Sequence, residues 1–249
     1  ASLNFASRLF QFPLGVFGIA VSTAIFPLLA SQATKRGEFG ETVRRGLRLV
    51  VFIGLPASVG LMIVRDLLSG VVFQGGLFTS GDTREVGFIL LGYSTAIWAY
   101  SMTQVLTRAF YAVDDMKTPV KIAVRMVVLN LTLNMILIWT PLGTAGLAWS
   151  TAFCAVVQVS ILMRAIRRHV DVPADRSVVR SWIKTTVATL LMSISVAIAV
   201  AFFPIEPTFL WWESLGALIL CVGVGIVVFG ISAHLLGMDE RKWLFGIRG

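Results

Sequence analysis

The chain has 249 residues, of which 57% are hydrophobic and only 14% are charged, and its mean hydropathy is +0.85. Soluble domains carry roughly 25% charged residues, which excludes a water-soluble globular fold for this chain. A net charge of +8 would suggest nucleic acid as a partner for a soluble protein. Here the basic residues stand at the ends of apolar stretches, which indicates basic cytoplasmic loops and no nucleic-acid partner.

Apolar stretches in chain order predict seven membrane-spanning helices. Each stretch holds at most one Lys, Arg, Asp or Glu, and together they cover residues 9–34, 46–64, 86–107, 126–163, 185–205 and 214–238. The fourth stretch is too long for one crossing, which takes about 20 residues, and it is broken at residues 140–143. Continuous apolar runs favour helices over the alternating strands of a barrel. The predicted fold class is all-α, a polytopic membrane helix bundle.

The first predicted helix holds a candidate anion-binding site. Arg8 precedes 26 uncharged residues, and Asn4, Arg8 and Gln11 share one face of the helix. Arginine in a membrane segment is costly unless it faces water or a partner, and its guanidinium suits a pyrophosphate or a carboxylate. Snorkelling of Arg8 to the outer interface explains the pattern equally well.

Proline and glycine residues predict that this helix can bend. They are Pro13, Gly15, Gly18 and Pro27. Proline removes a backbone hydrogen bond, whereas glycine also permits close packing without motion, so both readings stay open. Pro56 repeats the feature in the second helix.

A group of polar residues in the fourth and fifth helices is a candidate ion site. Asn130 and Asn134 lie one turn apart, and Ser150 and Thr151 follow in the next helix. Their oxygen atoms suit a small cation such as Na⁺. Interhelical hydrogen bonding is the alternative, and it is favoured because no carboxylate accompanies the group.

The basic residues predict the orientation. Eighteen of the 21 lie in the loops after the first, third and fifth helices and in the tail, while Arg8, Arg65 and Arg84 lie at the other ends. The positive-inside rule places those loops and the C-terminus in the cytoplasm. The chain then divides into five helices in residues 1–166, a cytoplasmic linker in residues 167–181, and a two-helix hairpin with a tail in residues 182–249.

The sequence does not predict an enzyme. His169 and His234 have no acid or nucleophile at a meaningful spacing, Cys154 and Cys221 lack metal-ligand spacing, and no Walker loop is present. No cofactor is expected, apart from Na⁺ as a coupling ion. Because the chain starts at Ala1 within a predicted helix, we expect it to be a piece of a longer protein.

Two stretches resemble the MurJ/MviN family of lipid II flippases. Residues 8–20 (RLFQFPLGVFGIA) and 26–29 (FPLL) are similar to that family's eighth helix. Residues 108–112 (RAFYA) and 115–120 (DMKTPV) are similar to the turn between its tenth and eleventh helices. The resemblance implies the C-terminal half of a fourteen-helix exporter of the multidrug and polysaccharide exporter superfamily. It further implies a bacterial inner-membrane location and an N-terminal half of the same protein as partner.

The resemblance also implies a function. A member of the family would flip lipid II, the peptidoglycan precursor linked to undecaprenyl pyrophosphate, from the inner to the outer leaflet by alternating access. Arg8 would bind the pyrophosphate beside Asn4 and Gln11, and the terminal hairpin would hold the polyprenyl tail among the membrane lipids. Some members bind Na⁺ near the positions of Asn130 and Asn134, although an acid is expected where Asn134 stands.

Two alternatives remain at this point. An exporter of another lipid-linked glycan or of drugs belongs to the same superfamily, and a cationic drug is disfavoured by Arg8. A membrane scaffold without transport activity belongs to another class, for which a cavity arginine and flexible helices have no purpose.

Overall fold

The computed structural model describes residues 2–73, 78–202 and 211–244. Within these ranges a π-helical segment, Leu14–Ile19, connects the first two helices, and a short 3₁₀ turn, Ile166–Arg168, follows the seventh. The helices are α1 (Ser2–Pro13), α2 (Ala20–Ser31), α3 (Arg36–Phe73), α4 (Ser80–Ser94), α5 (Ile97–Ala112), α6 (Lys117–Leu137), α7 (Ala145–Ala165), α8 (Arg176–Ala201), α9 (Trp211–Leu235) and α10 (Glu240–Leu244).

The described helices confirm the all-α membrane prediction. Five of them, α3, α6, α7, α8 and α9, are long and apolar enough to cross a membrane, and α4 with α5 forms a sixth candidate that is bent by 41°. The first predicted span is helical too, but the π-helical segment divides it into α1 and the short apolar α2. Each of the seven predicted spans therefore overlaps a helix. Five helices, or six candidates with the bent pair, have the length and composition that a membrane crossing needs.

Local signals set several helix ends. Thr79 caps α4, because its side chain accepts from the Asp82 backbone N–H while the Asp82 carboxylate accepts from the Thr79 N–H. Asp175 caps α8, so this helix begins at Arg176, inside the predicted linker. Gly237 follows α9 at a φ of +59°, a left-handed conformation that suits glycine at a helix C-terminus.

The long helix α3 lies at the centre of the packing. It contacts α2, α4, α5, α8 and α9, and the main core forms around Leu47 and Val50 of α3 with Leu106 of α5. In contrast, α6 is held mainly by α7. Its outward side chains, including Val128 and Met135, stay exposed. A helix with such an apolar outer surface suits contact with lipid.

The loops predicted to be cytoplasmic meet at one end of the bundle. Ion pairs join the start of α3 to the linker between α7 and α8, with Arg36 2.7 Å from Asp171 and Arg44 3.4 Å from Asp175. At the opposite end, the Trp211 indole N–H donates to the Val71 carbonyl at 2.9 Å. The start of α3 and the linker therefore lie at the same end of the bundle, and the side of the membrane that they face stays a prediction. The predicted turn at residues 203–207 lies outside the described residues.

Candidate functional site

The predicted polar stripe of α1 lies on the uncovered side of that helix. Asn4, Arg8 and Gln11 are all exposed, whereas Ala6 and Phe10 on the other side are buried in a cluster with α4. Within the described ranges Arg8 forms neither an ion pair nor a hydrogen bond. An unpaired guanidinium on an apolar helix is available to an anionic ligand.

Aromatic contacts fix the rotation of α1. The Phe10 ring stacks on Tyr93 at a centroid distance of 5.3 Å and meets Tyr100 edge-on at 5.5 Å. One turn and a half earlier, Phe5 packs on Phe73 at 4.7 Å. Because Phe10 lies almost opposite Arg8 on the helix, its ring contacts hold Arg8 away from the cluster that α1 shares with α4.

The helix loses its regular form immediately after this stripe. Pro13 has no N–H to donate, and the next six residues are π-helical. Gly18 permits a close approach, since a Cβ there would lie 3.1 Å from the Ser101 Oγ of α5. At Gly15 a Cβ would meet nothing within 4 Å. The predicted bendable element is thus an irregular segment that also packs closely.

The structure brings the four predicted ion-site residues together between α6 and α7. Asn130 Nδ2 donates to Ser150 Oγ at 3.3 Å and to Thr151 Oγ1 at 3.4 Å, and Asn134 Nδ2 donates to Asn130 Oδ1 at 3.1 Å. Ser150 Oγ also donates to Asn134 Oδ1. Both amide oxygens are therefore engaged in a network that joins the two helices.

The four side chains of this network are uncharged amides and hydroxyls. Among the described residues no group of three or more His, Cys, Asp and Glu side chains could hold a metal ion. The arrangement matches interhelical hydrogen bonding, which was the favoured alternative at the sequence level.

Two arginines are placed differently from their sequence-level positions. Arg108 was expected in a cytoplasmic loop but lies in the last turns of α5, with its guanidinium 5.6 Å from the centre of the Phe26 ring. Arg48 lies within α3 and pairs at 2.6 Å with Glu240, which is 1% exposed. The sequence held no signal for this pair, because its members are 192 residues apart.

The sequence of the chain matches a known protein family. A family model described as "Lipid II flippase MurJ" matches residues 1–215. A "Probable lipid II flippase MurJ" from Vibrio cholerae serotype O1 is 32% identical over 239 residues, covering 94% of this chain and 44% of that relative. One of the same name from Thermotoga maritima is 26% identical over 240 residues, covering 96% and 46%.

A solved structure shows the same fold. It is described as "Lipid II flippase MurJ, inward closed conformation", and its TM-score to this chain is 0.79 at 23% sequence identity. The alignment covers 96% of this chain and 47% of that chain. The chain accordingly spans about half the length of the curated relatives it matches.

Proposed function

This chain belongs to the MurJ family of lipid II flippases, and we therefore propose that it forms one lobe of a transporter that moves lipid II from the inner to the outer leaflet. The observation that carries the proposal is the exposed face of α1, whose Arg8 has no partner among the described residues. The second wall of the transport path would come from an N-terminal half of the same protein.

The chemistry of this face supports a pyrophosphate ligand. A guanidinium donates pairs of hydrogen bonds to phosphate oxygens, and charge-assisted bonds are stronger than neutral ones. Asn4 and Gln11 flank Arg8 with further amide donors. Transport then needs no bond to be made or broken, only rocking of one lobe against the other around the bound headgroup.

The proposed location is the bacterial cytoplasmic membrane, with the C-terminus in the cytoplasm. The concentration of basic residues in alternate loops supports this orientation. The ion pairs that gather these loops at one end of the bundle support it as well.

The proposal is tested in cells depleted of their own flippase. The full-length gene should restore the exposure of lipid II to a degrading agent in the periplasm. Arg8→Ala should reduce that exposure by about 10-fold or more, since loss of charge-assisted hydrogen bonds costs roughly 1.5–3 kcal/mol. Arg125→Ala is the matched control, because it removes another exposed arginine, from α6.

The outcomes test the identity of the substrate and the role of Arg8 independently. No restoration by the wild-type gene, despite good expression in the membrane, would exclude lipid II as the substrate. Restoration that is unchanged by Arg8→Ala would exclude the role of Arg8 and leave the transport function standing.

The sodium site at Asn130, Asn134, Ser150 and Thr151 stays a prediction. The unfolding temperature of the protein tests it. Four neighbouring side-chain oxygens support it, although they bond to one another in this structure. If Na⁺ is the coupling ion, the purified full-length protein should unfold at a higher temperature in NaCl than in KCl of equal ionic strength. Asn134→Leu should abolish the difference, and equal unfolding temperatures for the wild type would contradict the prediction.

A further inference from the structure

Two spans lose regular α-helical form beside each other, and the helix that packs between them, α3, carries a proline at that level. The first span contains the π-helical segment Leu14–Ile19, and the third breaks between Ser94 and Ile97, where it bends by 41°. Between them in sequence, α3 contains Pro56, which removes one backbone hydrogen bond from that helix. Sharp changes of helix direction arise at such proline and π-helical positions.

The backbones of these spans touch around Ser101. A Cβ on Gly18 would lie 3.1 Å from Ser101 Oγ and 3.4 Å from its Cα. A Cβ on Gly54 would lie 3.1 Å from the Trp98 Cα and 3.5 Å from the same Ser101 Oγ. Neither glycine has a side chain in these contacts, so the backbones of the first span and of α3 both approach the start of α5 closely.

Two serine hydroxyls bond to the backbone of α5 at this point. The Trp98 N–H belongs to the first turn of α5, where a helix lacks internal acceptors, and it donates to Ser58 Oγ of α3 at 3.3 Å. Ser101 Oγ donates to the Ile97 carbonyl at 2.9 Å, a bond that often accompanies helix bending. We call Gly18, Gly54, Ser58, Trp98 and Ser101 the Ser101 joint.

The hydrophobic packing changes across the joint. Before the breaks, α1 and α4 share one buried cluster, which includes Phe10, Ile89 and Tyr93. After the breaks, α2 and α5 belong to a different cluster with the first half of α3, which includes Leu29 and Leu106. The first residues of α5, Ile97 and Tyr100, still pack with the cluster of α1 and α4, and both α3 and α7 contribute to the two clusters. The two segments of each broken span therefore lie mainly in different clusters, which we call the two blocks and which α3 and α7 connect.

We propose that the Ser101 joint is a pivot at which the block of α1 and α4 swings against the block of α2 and α5. Because α1 carries Arg8, the swing changes the direction in which the exposed polar face points. The assignment of this motion to transport rests on the proposed function, whereas the motion itself does not.

The test measures the motion in the purified full-length protein. Spin labels at Phe88 of α4 and Leu28 of α2, both exposed, report the distance between the blocks after Cys154 and Cys221 are replaced by alanine. We expect two distance populations in the wild type. Gly18→Ala should leave one population, because a Cβ there meets the backbone and hydroxyl of Ser101.

Matched controls exist on the same elements. Gly15→Ala in the π-helical segment and Gly60→Ala in α3 place a Cβ where nothing lies closer than 3.9 Å, so both should keep two populations. Ser101→Gly should restore them in the Gly18→Ala background, which covers the case that Gly18→Ala alone does not fold. A single distance population in the wild type would overturn the pivot. The same number of populations in Gly18→Ala and Gly15→Ala would also overturn it.

The lipid II exposure assay on the same variants separates this proposal from the proposed function. If the wild type shows two label-to-label distances but does not expose lipid II, the pivot stands and the proposed function is wrong. A wild type that exposes lipid II with a single, invariant distance would retain the function and reject the pivot.

Discussion

Asp175 has two partners at the start of α8. Its Oδ1 accepts from the Val178 backbone N–H at 3.0 Å and from Ser177 Oγ at 2.7 Å, and its Oδ2 lies 3.4 Å from Arg44 Nε. Partial burial raises the pKa of Asp175, but these hydrogen bonds and Arg44 together outweigh that effect and lower it below its usual range. The carboxylate form is therefore the one that stabilises this end of the bundle.

Removal of this cap should weaken α8. Asp175→Ala is expected to lower the free energy of unfolding by about 1 kcal/mol, the usual cost of a lost N-cap. Thermal unfolding of the purified protein at pH 7 measures the change. Asp171→Ala is the control, since that carboxylate is 78% exposed and pairs only with Arg36 among the described residues. An equal loss for both variants would contradict the capping role.

The stabilising effect of the Asp175 carboxylate should depend on pH. Because its pKa is lowered in the folded protein, its contribution is complete above the unfolded value of about 3.9 and is lost as the pH falls through the folded value. The difference in unfolding temperature between wild type and Asp175→Ala should therefore shrink in acid below about pH 4. A difference that stays constant from pH 7 to pH 3 would exclude this explanation.

Part of the candidate site could be predicted from the types and spacing of residues in the sequence. The polar face of α1 was evident, because helical spacing alone puts Asn4, Arg8 and Gln11 on one side. The meeting of Asn130 with Ser150 was also predictable, since a short turn makes their helices neighbours. The hydrogen bonds within that network were not, because the direction of each amide depends on the exact rotation of α6 against α7.

At the scale of elements, the two broken spans differ in how visible they are in the sequence. Pro13 marks the first break, but the π-helical form of the next six residues and the close approach of Gly18 to Ser101 have no signal in the sequence. The break between α4 and α5 contains neither glycine nor proline, and residues 86–107 read as one apolar stretch. Ser94 and Thr95 instead donate back to the Leu90 and Gly92 carbonyls, a local competition that composition does not reveal.

Close packing of α4 on α7 gives a prediction at the same scale. A Cβ on Gly92 would lie 2.9 Å from the Ala148 Cβ and 3.3 Å from its backbone carbon. Gly92→Ala should therefore destabilise the protein by about 1–3 kcal/mol through overpacking. In Gly223→Ala of α9 the new Cβ meets nothing within 4 Å, so this control should be neutral or slightly stabilising. Denaturant unfolding in detergent compares the two, and equal stabilities would refute the packing argument.

At the scale of the whole molecule, a clamp joins the tail to the bundle. Glu240 is 1% exposed, lies 2.6 Å from Arg48 Nε of α3, and accepts from Ser181 Oγ of α8 at 2.6 Å. The Lys184 ammonium group donates to the Leu236 carbonyl at 2.6 Å. The polar groups hold two helices, α3 and α8, to the tail, in a bundle whose other contacts are mostly apolar.

Loss of the buried carboxylate should be costly. Glu240→Ala leaves the Arg48 guanidinium, which is 16% exposed, without its close partner, and breaking a buried pair in this way costs roughly 3–5 kcal/mol. Asp239→Ala removes the neighbouring carboxylate, which is 61% exposed and 3.8 Å from Arg48, and should cost less than about 1 kcal/mol. Thermal unfolding and protease cleavage of the tail report the effect, and similar results for both variants would contradict it.

This clamp has a consequence for biosynthesis. Arg48 leaves the ribosome 192 residues before Glu240, which at 5–20 residues per second is a delay of roughly 10–40 s. During that interval the end of α3 that carries Arg48 is already synthesised, but the carboxylate that pairs with this arginine is not. Nascent chains arrested before Glu240 should therefore insert their helices and still be degraded at this end, so the clamp marks the point at which the lobe becomes resistant to proteases.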